Sequence, residues 1–159
     1  MNQHMQNERP GSTYAARLLS NGSFTTLLGL RGGGFAALDG YALTRWVPDP
    51  ARDVDGLQIY VRDLETGSYR TISGGAAPPA SGCDMRFDGG VAEFRSDVDD
   101  IEGTVEVCVV REQDAELRRI TLRNTGSRTR RLDITTYAEI ALNKLAAAGG
   151  ALLVVLKGI

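Results

Sequence analysis

The sequence predicts an all-β fold, an antiparallel β-sandwich, on three observations. Apolar and polar residues alternate with a period of two through the C-terminal half, the pattern of strands with one face buried and one solvated. Short clusters of Gly, Asn, Asp and Pro separate these runs, and such clusters close hairpins. No window carries a sustained 3.6-residue apolar period, so long helices are not expected. With 159 residues, 42% hydrophobic and 24% charged, the chain is long enough for one domain with a buried core.

Taken in order, residues 1–12, MNQHMQNERPGS, are polar and read as a disordered tail. They lack the apolar stretch of a signal peptide. The sandwich domain is expected over 13–142. NGS (21–23) is a hairpin turn and FTTLLGL a strand. RGGGFAALDG (31–40) is a glycine turn leading into a strand, and YALTRW (41–46) a short strand ended by Pro48 and Pro50. LQIYVRDLETGSYRTIS (57–73) reads as strand, turn, strand, and GGAAPPASG (74–82) as a loop.

The clearest alternation follows. In DIEGTVEVCVV, Ile101, Val105, Val107 and Val109 share one face, and Glu102, Thr104, Glu106 and Cys108 the other. ELRRITLRN (116–124) places Ile120 and Leu122 together, and TRRLDITTYAEIAL (129–142) does the same for Leu132, Ile134, Ala138 and Ile140. The turns between them, EQDA (112–115) and NTGSR (124–128), are short. Successive strands joined in this way predict an antiparallel meander. The ending, NKLAAAGGALLVVLKGI (143–159), is apolar without alternation. It fits either a fully buried last strand or a tail outside the fold.

Several function classes are excluded. A formal net charge of −2 provides no basic field for nucleic acid or anionic lipid. ALLVVL (151–156) is far shorter than the roughly 20 residues that span a bilayer, so no membrane insertion is expected and a cytoplasmic location follows by default. Cys83 and Cys108 form no ligand spacing, and the single histidine, His4, lies in the tail, where it cannot be held as a catalytic base or zinc ligand. No catalytic residue, metal or cofactor is assigned.

The glycines of RGGGFAALDG lack the following Lys-Ser/Thr of a P-loop, and Ala37 stands where G-x-G-x-x-G needs Gly. SDVDDIEG (96–103) has Ile101 at the fifth position of a would-be calcium loop, so it reads as a hairpin turn. Its carboxylates are sequence neighbours, which does not specify the opposed pair of a glycosidase. The best ligand surface is Trp46 with Arg45, Arg52 and Asp53: an aromatic plane stacks on a sugar ring while Arg and Asp bond hydroxyls. The other reading is a core Trp capping the sandwich beside a surface ion pair.

A family resemblance enters on these segments. ARLLSNGSFTTLLGLRGGGFAALDGYALTRWVPDPARD, the RD-x-x-TG turn of VRDLETGS, and TTYAE (135–139) follow one another in an order that resembles the N-terminal β-sandwich of glycoside hydrolase family 94, formerly glycosyltransferase family 36. That family includes cellobiose and chitobiose phosphorylases, and the likeness is nearest to the phosphorylase-like region of cyclic β-1,2-glucan synthases. It runs from about Ala16 to Leu142. It implies a supersandwich-like, incomplete domain whose catalytic (α/α)6 barrel and phosphate site lie outside this chain, with inorganic phosphate used only by a complete enzyme. It also implies a weakly sugar-facing rim at Gly33, Gly34, Phe35, Arg45, Trp46, Arg52 and Asp53. Implied partners are a β-linked glucan or oligosaccharide, and a catalytic-barrel chain or a second copy. Phe35 replaces an expected Tyr and removes a hydroxyl. The change of character after Leu142 reads as truncation or a frame shift. Three readings stay open: a non-catalytic carbohydrate-associated module, one part of a split phosphorylase, and a non-functional product with exposed strand edges and a tendency to self-associate.

Overall fold

The computed structural model describes residues 16–47, 55–73, 84–144 and 152–158. The N-terminal tail, the 74–82 loop, His4, Cys83, Pro48, Pro50, Arg52 and Asp53 lie outside the described residues. Twelve strands form two antiparallel sheets, and the described residues contain no helix. No helix among them is long and apolar enough to cross a membrane.

The second sheet is a meander of β7 (Asp84–Asp88), β8 (Val91–Val98), β9 (Ile101–Val109) and β10 (Glu116–Asn124). Alternation determines its inner face, because opposed residues in an antiparallel pair share a side. Phe94 faces Val105, and Val105 faces Ile120. The acidic run becomes a two-residue hairpin turn: Asp99 and Asp100 have φ of 53° and 62°, the left-handed pair such a turn requires. The Asp100 carbonyl accepts the Thr125 amide at 2.8 Å. The β7–β8 hairpin over Gly89-Gly90 carries no clear alternation in sequence, and the sequence reading passes over it.

The first sheet contains β1 (Ala16–Ser20), β2 (Phe24–Gly29), β3 (Gly34–Leu38), β4 (Tyr41–Thr44), β5 (Gln58–Asp63), β6 (Tyr69–Thr71), β11 (Leu132–Lys144) and β12 (Leu152–Gly158). The expected meander therefore fails at one step, because β11 does not pair with β10. Arg130 carries the chain across to the other sheet. Its guanidinium bonds Asp63 Oδ2 on β5, with Nε at 2.8 Å, and donates Nη1 to the Asp99 carbonyl at 2.8 Å. The adjacent Arg131 carbonyl accepts the Leu64 amide at 2.9 Å. The strand expected to end at Leu142 continues to Lys144, and Leu152–Gly158 pairs along Ile134–Ile140.

Leu19, Leu28, Ile59, Val61 and Ile72 from one side meet Ala92, Phe94, Val105 and Val107 from the other, and together they form the core. Each large side chain there contributes roughly 1.5–3 kcal/mol by leaving water.

One arrangement positions the candidate site. Ile140 pairs with both Thr44 and Leu152, and residues 134–137 pair with both β5 and β12. A residue has one partner on each edge, so β4 and β5 lie on the same edge of β11, opposite β12. Thr44 sits against Ile140, the Arg45 amide donates to the Glu139 carbonyl at 2.9 Å, and Gln58 pairs with Tyr137. Strands β4 and β5 are thus one line of pairing, interrupted by residues 46–57, and the sheet forks there.

Candidate functional site

The fork brings together the described members of the expected rim. Arg45 is the last residue on the β11 ladder, and its side chain meets Glu139 at 2.9 Å. The Glu139 carboxylate also accepts the Tyr137 hydroxyl at 3.2 Å. Hydrogen bonding to Glu139 raises the Arg45 pKa above its ordinary value. Burial, then the Glu139 contact, raises that of Tyr137. Both groups keep their protons at neutral pH, so Arg45 is a fixed cation and Tyr137 a fixed donor.

Trp46 follows immediately and lies on the ring of Phe35, with centroids 5.1 Å apart and planes tilted by 36°. It is 39% exposed, so it is not the core Trp of the alternative sequence reading. The β4–β5 insertion carries it out of the ladder before it can turn inward. The insertion is closed at its neck, where the Val47 amide donates to Asp55 Oδ2 at 2.5 Å.

The glycine turn is packed rather than open. The Gly29 amide donates to the Gly33 carbonyl at 2.6 Å, and the Gly34 amide to the Asp55 carbonyl at 2.9 Å. A Cβ on Gly34 would stand 1.8 Å from the Leu27 carbonyl oxygen, and one on Gly56 2.8 Å from that of Gly34. Two chain segments pass at backbone contact here, which glycine alone permits. Gly33 and Gly34 are buried, so they support Phe35 and the neck and present no side of their own.

Sequence reasoning missed four side chains, in two pairs. Tyr137 and Glu139 sit within the quoted TTYAE, and the alternation that pointed Ala138 and Ile140 one way points them the other. Glu116 and Arg118 share the inward face of β10 with Ile120 and Leu122. They are a close ion pair with side chains only 11% and 9% exposed. Arg118 also donates to the Leu57 carbonyl at 2.8 Å. The pair lines a cavity of ≈ 210 Å³ beside Gly34, Phe35, Thr44 and Gly56, the same parity signal carried by charged residues.

The RD-x-x-TG turn has a structural role instead. Asp63 Oδ1 accepts the amides of Glu65 and Thr66 at 2.7 and 3.2 Å, and its other oxygen holds Arg130. Among the described residues no cluster of His, Cys, Asp and Glu is placed to hold a metal.

Comparison with known proteins places these features in context. The supersandwich domain of glycosyl hydrolase 94 matches residues 4–150. The chain is 41% identical over 128 residues to a cyclic beta-(1,2)-glucan synthase of Rhizobium meliloti, a match covering 79% of this chain and 4% of that protein. It is 26% identical over 136 residues to an N,N'-diacetylchitobiose phosphorylase of Vibrio furnissii, covering 80% of this chain and 17% of that protein. The chain thus spans a small part of the curated relatives it matches.

Proposed function

This chain belongs to the glycosyl hydrolase 94 supersandwich family, and we propose that it is a carbohydrate-associated β-sandwich module that is not catalytic on its own. The observation that carries the reading is the fork, where the exposed Trp46, resting on Phe35, stands beside a fixed cation, a carboxylate and a phenol. Saccharides are recognised by that combination, through stacking of C–H faces on rings and hydrogen bonding of hydroxyls. The ligand class is a β-linked glucan or oligosaccharide, in keeping with the cyclic beta-(1,2)-glucan synthase and the diacetylchitobiose phosphorylase it resembles. No cofactor is assigned to this chain, and inorganic phosphate would serve only a complete enzyme.

The chain has one tryptophan, so its emission reports this site alone. Titration with a β-linked gluco-oligosaccharide is expected to change Trp46 fluorescence. An unchanged spectrum at millimolar ligand, in protein shown to be folded, would refute the reading. The likeness to a phosphorylase motivates a second reading, in which the module completes a glycosyl-transferring phosphorylase together with a separate barrel chain. Co-expression with a barrel chain and an assay for phosphorolysis tests it.

A further inference from the structure

Beyond the fork, the face of the first sheet opposite the core carries a row of aromatic residues. Ile59 and Val61 point into the core, so alternation sends Tyr60 and Arg62 the other way. Tyr60 lies opposite Thr135, and Arg62 opposite both Tyr69 and Asp133. The Tyr60 and Tyr69 rings are 6.5 Å apart. On the next strand Tyr137 shares the face and donates a hydrogen bond from its hydroxyl to the Glu139 carboxylate, which Arg45 holds from the other side. Three strands therefore present Tyr69, Tyr60 and Tyr137 in one line, joined at its end by a bridged carboxylate.

The charge on this face points to a neutral ligand. Among the described side chains of this face, Glu139 is matched by Arg45, and Arg62 stands across from Asp133, so these four charges cancel. Rings that present planes, with fixed donors and acceptors between them, fit a polyhydroxylated molecule. The rings are also not coplanar: Tyr60 and Tyr69 are inclined by 51°. A flat crystalline surface cannot touch both, whereas one soluble chain can twist to follow them, as the sheet itself twists.

We propose that this face is a binding platform for a single soluble chain of a neutral β-linked glucan, running across Tyr69, Tyr60 and Tyr137. The proposal rests on the carbohydrate reading above and extends it across β6, β5 and β11. Tyr69 is 64% exposed, so its replacement leaves the fold intact. Calorimetric titration of the whole chain with a linear β-linked gluco-hexasaccharide is expected to show binding that weakens roughly tenfold in Tyr69→Ala, the loss of one stacked ring, and recovers in Tyr69→Phe. Affinity unchanged in Tyr69→Ala but lost in Trp46→Ala would overturn the platform and leave the fork as the whole site. No binding by the unaltered protein would overturn both readings. Retention on microcrystalline cellulose in preference to the hexasaccharide would overturn the single-chain claim.

Discussion

Gly34→Ala is the sharpest test of the glycine turn. The added methyl would stand 1.8 Å from the Leu27 carbonyl oxygen and 2.7 Å from its carbon. Both are backbone atoms of β2 in the strand pair that holds β3, so neither yields without opening that pair. Retreat is blocked as well: the Gly34 amide is held by Asp55, and its carbonyl lies against Gly56. The backbone φ of +151° adds a conformational penalty. Strain of this kind costs ~1–3 kcal/mol and overpacking a further ~1–3 kcal/mol, giving ~2–6 kcal/mol against a typical total of ~5–15 kcal/mol. Gly40→Ala is the control. Gly40 has a φ of +79° and nothing within 4 Å of its would-be Cβ, so only the conformational cost applies. Urea unfolding followed by circular dichroism is expected to place Gly34→Ala ~1–3 kcal/mol below Gly40→Ala, at an unchanged m-value. For a chain of this size that separation is about 2–12 °C in melting temperature. Equal stability of the two variants, within ~0.5 kcal/mol, would refute the close-approach account and return the glycines to an open ligand loop.

Two further outcomes follow from the buried ion pairs. Arg118→Met leaves Glu116 and the Leu57 carbonyl without their donor and is expected to cost about 3–5 kcal/mol. The double variant with Glu116→Leu is expected to recover part of that loss, and a double variant no more stable than Arg118→Met would show that Glu116 is not stranded. Asp63 responds to pH. The Glu65 and Thr66 amides, with Arg130, hold its pKa below the ordinary 3.8. Its contribution is therefore complete above that value and is lost as pH falls through the lower folded pKa. Urea midpoints measured from about pH 5 downward are expected to fall less steeply for Asp63→Asn than for the unaltered chain. Glu106, lowered in the same direction by Arg119, keeps a residual slope in both. Parallel curves would refute the assignment.

What the sequence revealed and what it hid divide along physical lines. Period two exposed β9, β10 and most of β11, because each has one apolar face against the core. It could not reveal which sheet β11 joins. Sheet choice is decided by long-range partners: Asp63 for Arg130, and the Leu64 amide for the Arg131 carbonyl. Nor could it reveal the fork, since Thr44 and Gln58 are fourteen positions apart yet meet β11 three residues from each other, at Ile140 and Tyr137. Trp46 was legible as a candidate and ambiguous as to side, because a residue just beyond a strand end no longer obeys the strand's parity. Glu116 and Arg118 were hidden for the opposite reason. Their parity was plain, but charged residues on an inward face are rare enough that the apolar Ile120 and Leu122 claimed the assignment.

The replacement of an expected Tyr by Phe35 bears on the site differently once the fork is known. As a sugar-contacting residue, Phe35 would lack a hydroxyl and weaken the case. In the structure its ring is a support, because Trp46 rests on it at 5.1 Å, and a hydroxyl is not needed there. The polar groups at the fork are Arg45, Glu139 and Tyr137, all supplied from or anchored to β11. Trp46 lies beyond the last ladder bond, where a surface side chain would ordinarily lose rotamer entropy on meeting a ligand. Here the Phe35 ring beneath it and the Val47–Asp55 bond at the neck restrict it beforehand. The glycines contribute at one remove: only without side chains at positions 34 and 56 can the two backbones come close enough to set that neck beside Phe35.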